Sequence, residues 1–306
     1  MPDTTSPSDT TLDTQPAIKA HRPIGAKLVG IISVLLLFSL GAITVLVSVM
    51  VTADVRITAE DNNFNVNFRS AAEAERALAA IRDETLLLLD TLDALDSYPE
   101  LARIAAALFF RRNPDVAAIA GTDGDSLVND AFFAANGLDA ARISDFIRAE
   151  EDAVRQGRSG EFLLRNAAPV FGLPLLALFL PRQDDPRAVF FSPESLAGTF
   201  GAGTSLSFLV NDRGELLIHP DGGLTMAGTN MASDPFVKTM RESGEGSLQT
   251  RYNGEDGTEY FGAFRKLSLA NAAVITTAEY AVIFEGVNAT TRRNLYLTGA
   301  VLCIAV

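Results

Sequence analysis

The run FLVNDRGELLIHPD at positions 208–221 decides the fold of this chain. Apolar residues flank the polar turn 212–214 on both sides, and two such runs around a glycine-containing turn predict a β-hairpin. A second hairpin is predicted from the runs 246–252 and 258–266, which flank another glycine-rich turn. A helix beginning Asp-Pro separates the two hairpins, and a last strand is predicted at 271–277. This part of the chain is therefore predicted to form an antiparallel sheet with helices around it.

The preceding part of the chain repeats the same order of elements. A helix, a hairpin, an interrupted helical stretch and three strands are predicted at 100–111, 116–128, 131–156, 161–166, 170–180 and 188–191. Two copies of one order, each with local hairpins, indicate an α+β fold with two antiparallel sheets. We place the first domain at 98–200 and the second at 201–280.

A long helix is predicted to precede both domains. No proline or glycine occurs from Val51 to Tyr98, so one helix can cover 54–97. Its apolar residues alternate at steps of three and four from Phe64 to Leu95, which is the spacing of an a/d seam. Such a seam fits a helix packed on its own domain, and it also fits a homodimer. The seam residues expected in a homodimer are Ala74, Leu78, Ile81, Leu88, Leu92 and Leu95.

Two uncharged apolar runs bracket these domains. The first, predicted to span a membrane at 28–51, exceeds the roughly 20 residues that cross a hydrocarbon core. A cleaved signal peptide is the alternative, because small residues follow at 51–53, but its apolar region is usually only about 7–15 residues long. The second run, 294–306, follows a predicted exit helix at 281–293 and breaks off at Val306. We expect it to be the start of a second, truncated span.

The flanking charges predict the orientation of the first span. Lysine and arginine precede it and acidic residues follow it, namely Lys19, Arg22 and Lys27 before, and Asp54, Glu60 and Asp61 after. Because basic residues favour the cytoplasmic side, the N-terminus is expected inside and the two domains outside, in an inner or plasma membrane. The tail 1–22 is rich in Thr, Ser, Asp and Pro and is expected to be disordered.

Composition excludes several classes of function. The formal net charge is −13, whereas a nucleic-acid-binding protein needs a basic face. The single cysteine, Cys303, lies in the second apolar run, so the domains are expected to have no disulfide. His219 is the one histidine outside the tail, which argues against a histidine-based zinc site and a catalytic triad. We expect it to end a strand and turn the chain, and we expect no catalytic site, metal or cofactor.

Over about 52–293, the chain resembles the double Cache sensor region of bacterial transmembrane receptors. The resemblance rests on the repeated order of elements and on the runs 208–221, 228–230 and 256–262. It implies two tandem PAS-like domains on a long N-terminal helix, flanked by transmembrane helices. It also implies a small extracellular ligand, bound in the membrane-distal first domain.

The resemblance extends to the type of output domain only in short segments, and alternatives stay open. Positions 23–28 and 53–74 look most like spirochaete-type receptors whose cytoplasmic half is a nucleotide cyclase, an adenylate or guanylate cyclase. Chemotaxis receptors and histidine kinases use the same kind of sensor. We expect the output domain to be missing from this chain. A membrane-tethered binding protein without output is a further alternative.

The residues expected to contact a ligand lie in the first domain. Arginine forks suit carboxylate or phosphate groups, and aromatic rings line apolar walls. The candidates are Phe109, Arg111, Arg112, Phe132, Phe162, Arg165 and Phe171. Amino-acid-binding members of the family carry a Tyr, Arg, Trp and Asp set, and this chain departs from it because it has no tryptophan. The apolar run 171–180 predicts a more apolar interior than an amino-acid site needs.

Overall fold

A computed structural model of the chain describes residues 24–122, 124–182, 185–201 and 205–305. The tail predicted at 1–22 lies outside this range. The chain divides into two compact units. One is 52–287, which contains both sheets, and the other comprises the residues through Val51 together with those from Asn288 onward. Each unit is described by itself.

The first domain is a five-stranded antiparallel sheet that follows the long helix α1 (Ile24–Ala94). Its strand order is β2-β1-β5-β4-β3. The elements are α2 (Pro99–Arg112), β1 (Val116–Ala120), β2 (Ser126–Val128), α3 (Asp130–Asn136), α4 (Ala141–Ala149), α5 (Glu151–Arg158), β3 (Leu163–Asn166), α6 (Ala168–Phe171), β4 (Leu176–Leu180), β5 (Arg187–Phe191) and α7 (Glu194–Ala197).

The second domain repeats this layout with the strand order β7-β6-β10-β9-β8. Its elements are β6 (Leu206–Asn211), β7 (Leu216–Ile218), α8 (Gly222–Met226), α9 (Pro235–Glu242), β8 (Ser247–Asn253), β9 (Glu259–Lys266), β10 (Ala272–Glu279) and α10 (Tyr280–Ala305). The predicted α+β class, with two antiparallel sheets and a long N-terminal helix, is confirmed.

Two local predictions are corrected. The strand predicted at 170–180 is shorter, because α6 occupies Ala168–Phe171 and β4 begins only at Leu176. Helix α6 ends at Gly172, whose φ of 75° is a left-handed conformation that favours glycine. The helical stretch predicted at 131–156 is three helices, and the first ends at Gly137 with a φ of 62°.

Strands β1, β3, β4 and β5 of the first sheet bury side chains on both faces. Ile119, Leu178 and Val189 belong to a core that also contains α1 residues. Phe179 and Phe190 point the other way, into a second core with residues of α3 to α6. Because side chains alternate across a strand, the sheet lies between α1 on one face and the short helices on the other.

Helix α1 packs on its own domains. Ala74 and Leu78 are 0% exposed and Leu88 is 5% exposed within one chain. Ile81 and Leu92 are partly buried against the same core, and Leu95 is half-buried. The side chains expected to form a homodimer seam are thus largely covered by the two sheets, as in the alternative of a helix packed on its own domain. A homodimer stays a prediction.

Two buried asparagines join α1 to the second sheet. Asn67 Nδ2 donates to the carbonyl oxygens of Ala263 (3.1 Å) and Val274 (2.9 Å) and to Thr276 Oγ1 (3.1 Å). Asn63, 0% exposed, donates to the Thr276 oxygen at 3.3 Å. Asn67 occupies a seam position where an apolar residue is usual. The asparagine is there because the sheet presents polar acceptors at this point.

Among the described residues, one helix is long and apolar enough to cross a membrane, and it is α1. An 18-residue apolar window of this helix is 0% buried. Helix α10 covers the predicted exit helix and continues to Ala305. Its second span stays a prediction.

Candidate functional site

The seven predicted ligand residues do not form one pocket. Arg111 and Phe132 line the same open groove of about 1020 Å³ between α2 and the β2–α3 segment. Phe109 and Phe162 pack against the core that contains α1. The side chain of Arg112 is 80% exposed and lies 3.9 Å from Glu84.

Phe171 lies in a phenylalanine cluster that fills the helix-covered face of the first sheet. Its ring centroid is 5.4 Å from that of Phe190 and 6.4 Å from that of Phe146. Phe146 also stacks on Phe179 at 6.5 Å. These rings occupy the middle of the domain, in keeping with the apolar interior predicted from 171–180. Space for a ligand on this face is therefore found toward one end of the sheet.

That space is a cavity of about 540 Å³ between the β1–β2 turn and helices α4 and α5. Arg148, Arg155 and Arg158 line it from the helices. Its volume falls within the roughly 300–1,000 Å³ of small-molecule sites. Thr122 in the turn and Ser126 at the start of β2 add hydroxyl groups. Cationic forks and hydroxyls around one cavity can bind a carboxylate or a phosphate.

The arginines of this cavity have weak competing partners. Arg148 lies 3.3 Å from Asp145, with the arginine side chain 76% exposed. Arg155 lies 3.8 Å from Glu151, again in an exposed pair. Exposed pairs of this kind contribute little, so both guanidinium groups can turn to a ligand at low cost. Sequence analysis missed these arginines because their helices have the mixed charges of a surface. The sequence signal that could have identified them is their spacing, because the three arginines of α4 and α5 follow one another at separations of seven and three residues.

Arg165 belongs to an ion cluster between the two domains. Its side chain is 0% exposed, with Nη1 at 3.2 Å from Asp212 Oδ1 and Nε at 3.4 Å from Glu150 Oε2. Asp212 belongs to the second domain and Glu150 to the first. Arg213 of the second domain pairs in turn with Glu150 (3.3 Å) and Asp152. Arg165 therefore links the domains.

Burial also acts on the acid in this cluster. It raises the pKa of Glu150 above its ordinary value, against the opposing effects of Arg213 and Arg165. Around the cluster, Leu164 N donates to the Ala270 oxygen at 3.2 Å, and Asn166 Nδ2 donates to the Leu216 oxygen at 3.0 Å. The two domains thus meet through backbone and charged contacts that involve strand β3.

His219 has the structural role expected from the sequence. It follows β7 directly, and its Nδ1 accepts a hydrogen bond from Asp221 N at 3.0 Å. Asp221 in turn caps α8 by accepting from Gly223 N at 2.9 Å. The residue turns the chain from strand to helix.

Comparison with known proteins gives fold-level matches. No protein-family model matches this chain, and no curated protein sequence matches it. Among solved structures, it is similar to the extracellular domain of a proposed histidine kinase, soHK1S-Z6, with a TM-score of 0.53, 15% identity, and coverage of 77% of this chain and 99% of that chain.

Two further structures agree. The ligand-binding domain of the Pseudomonas aeruginosa PAO1 amino-acid chemoreceptor PctB, in complex with L-Arg, has a TM-score of 0.52 and 16% identity, and covers 74% of this chain and 97% of that chain. The extracellular domain of the proposed histidine kinase rpHK1S-Z16 has a TM-score of 0.50 and 15% identity, with coverage of 75% and 98%. At these identities the likeness shows the fold alone, which this chain shares with extracellular domains of proposed histidine kinases and with the ligand-binding domain of a chemoreceptor.

Proposed function

We propose that this chain is the extracytoplasmic small-molecule sensor of a transmembrane signalling receptor. One observation carries the proposal: both sheets pack on a single helix, α1, which also contains the apolar run long enough to cross a membrane. The shared fold of extracellular sensor domains of histidine kinases and chemoreceptors supports the same function. In such an arrangement, helix shifts of about 1–2 Å carry a signal.

The proposed ligand is a small molecule with a carboxylate, bound in the first-domain cavity beside Arg148, Arg155 and Arg158. The arginine forks and hydroxyls of that cavity support this class. PctB is an amino-acid chemoreceptor, so amino acids are the first ligands to test. The groove with Arg111 and Phe132 is the competing location within the same domain.

Replacing two arginines tests the location. In Arg155→Gln/Arg158→Gln, calorimetry of the full chain in dodecyl maltoside micelles is expected to show at least about tenfold weaker carboxylate binding, because each charge-assisted hydrogen bond contributes about 1.5–3 kcal/mol. The probes are the twenty L-amino acids with acetate, lactate and succinate. Arg111→Gln is the matched control and should bind as the wild type. Loss of binding in Arg111→Gln alone would place the ligand in the competing groove.

The proposed orientation has the N-terminus in the cytoplasm and the sensor outside, which the charges around the first span support. Ser97 is exposed in the turn after α1. In a Cys303→Ser background, Ser97→Cys is expected to react with a membrane-impermeant maleimide in intact cells, and Ser8→Cys only after permeabilisation. The opposite labelling pattern would reverse the topology.

The output is proposed to be a nucleotide cyclase, on the resemblance of 23–28 and 53–74 to cyclase receptors. A histidine kinase or chemoreceptor is the second candidate, favoured by the neighbours of this fold. Assays of nucleotide cyclase and kinase activity in the receptor distinguish them.

A homodimer is part of the proposal. Helix α2 carries Leu101, Ile104 and Leu108 on one face, each 50–52% exposed, and Leu87 of α1 is 69% exposed. These apolar side chains offer a second copy a surface that the core of one chain does not use. A monomeric mass by sedimentation in micelles would exclude the homodimer.

A further inference from the structure

The second domain contains a cavity of its own, of about 440 Å³. It lies against the face of the sheet that carries Phe208 and Thr277, beside the start of α9 and the turn 253–257. The volume suits a small molecule. All the lining residues of this second-domain cavity come from 206–277, so it shares no residue with the first-domain cavity.

Aromatic rings form one side of the cavity. Tyr252 and Tyr260 line it and stack on each other at 5.5 Å with an interplanar angle of 24°. Phe236 stacks on the other side of Tyr252 at 4.7 Å, which fixes the ring in place. Phe208 and His219 line the cavity as a second pair, with centroids 5.8 Å apart. Such rings provide electron-rich apolar walls.

The charge of the cavity is negative. Asp234, Glu255 and Asp256 line it, and no lysine or arginine is among its described lining residues. Hydrogen bonds from Thr258 lower the pKa of Asp256, which keeps that carboxylate ionised. Burial lowers the pKa of His219, so its ring adds no positive charge at neutral pH.

One hydroxyl that lines the cavity makes no hydrogen bond within the described residues. Thr277 is 8% exposed and lines the cavity. Within the part of the chain that the structure describes, its hydroxyl makes no hydrogen bond. The neighbouring Thr276, on the opposite face of β10, bonds both Asn67 and Ser207. The Thr277 hydroxyl is therefore available to a polar ligand atom that enters the cavity.

We propose that this cavity binds a small organic cation, either a protonated amine or a quaternary ammonium. Carboxylates neutralise such a cation, aromatic rings attract it through their π faces, and Thr277 can accept or donate a hydrogen bond. The site is a second one on the sensor, opposite in charge preference to the arginine-lined cavity of the first domain. It does not depend on a ligand binding there.

Calorimetry on the full chain in dodecyl maltoside micelles tests the chemistry directly. The probes are tetramethylammonium, choline and putrescine, with 3,3-dimethylbutan-1-ol as the neutral counterpart of choline. At least one cation is expected to bind, and choline is expected to bind at least about tenfold more tightly than its neutral counterpart. Absence of binding by all three cations, or equal binding of choline and the alcohol, overturns the proposal.

Variants locate the site. Asp256→Asn and Tyr260→Leu should each weaken cation binding about tenfold, whereas Tyr260→Phe, which keeps the ring, should retain it. Glu245→Gln and Tyr98→Leu replace an exposed acidic residue and an exposed tyrosine outside the cavity and are the controls. Arg155→Gln/Arg158→Gln should leave cation binding unchanged, which separates this proposal from the carboxylate site. Wild-type binding in both Asp256→Asn and Tyr260→Leu would contradict the assignment.

Discussion

The variant Glu150→Gln/Asp212→Asn is expected to lose about 3 kcal/mol of its free energy of unfolding. Arg165 is 0% exposed, and these two acids are the carboxylates that contact it. A guanidinium cannot lose its proton at ordinary pH. The double variant therefore leaves a buried charge without an anion beside it, and the two domains lose a link that joins them.

A triple variant separates charge from packing. Adding Arg165→Met removes the stranded charge, so most of the lost stability should return, since apolar replacement of a complete buried ion pair is often neutral. Glu100→Gln/Asp145→Asn is the matched control, because those acids form exposed pairs that contribute little. Urea unfolding of the full chain, followed by circular dichroism, measures all three. Equal stability of the double and triple variants would mean that the buried charge is not the cause.

Asn67→Leu is also expected to destabilise the protein by about 3 kcal/mol. Asn67 is 2% exposed, and its amide donates to three acceptors on β9 and β10. Leucine has a similar size but no donor, so these acceptors would be buried with one hydrogen bond fewer each. The effect falls on the contact between α1 and the second sheet, through which a signal to the membrane is proposed to pass.

The same helix provides the control for Asn67. Asn65 lies two residues away and is exposed, so Asn65→Leu should change the free energy of unfolding by less than about 0.5 kcal/mol. Asn63→Leu should have an intermediate effect, because its hydrogen bonds are longer, at 3.3–3.4 Å. If Asn67→Leu is no less stable than Asn65→Leu, the amide contacts do not hold the helix on the sheet.

Local signals in the sequence were enough to predict the two sheets. Turns such as 212–214 and 253–257 mark hairpins whose partners are neighbours in the chain, and the structure pairs them as expected. The long helix was equally accessible, because proline and glycine are absent from Val51 to Tyr98. It ends at Ala94, three residues before the predicted end.

Local signals did not predict which surface packs against α1, or which side chains lie around the candidate cavities. A spacing of three and four shows that α1 has an apolar face, but not whether that face meets a sheet or a second chain. Arg165 was expected to bind a ligand, and its partners Glu150 and Asp212 lie 15 and 47 residues away in sequence. Contacts at such separations depend on how the two domains pack, which no local pattern in one sequence records.

The melting temperature of the full chain in dodecyl maltoside micelles tests the sensor proposal most directly. It is measured with each member of the carboxylate panel, which consists of the twenty L-amino acids, acetate, lactate and succinate. A ligand at about 100 times its Kd stabilises the folded state by about 2.7 kcal/mol, which raises the melting temperature of a domain of this size by about 5 °C or more. We predict that at least one member of the panel does so in the wild type and not in Arg155→Gln/Arg158→Gln. An unchanged melting temperature across the whole panel would contradict the proposal that the first domain is a carboxylate sensor.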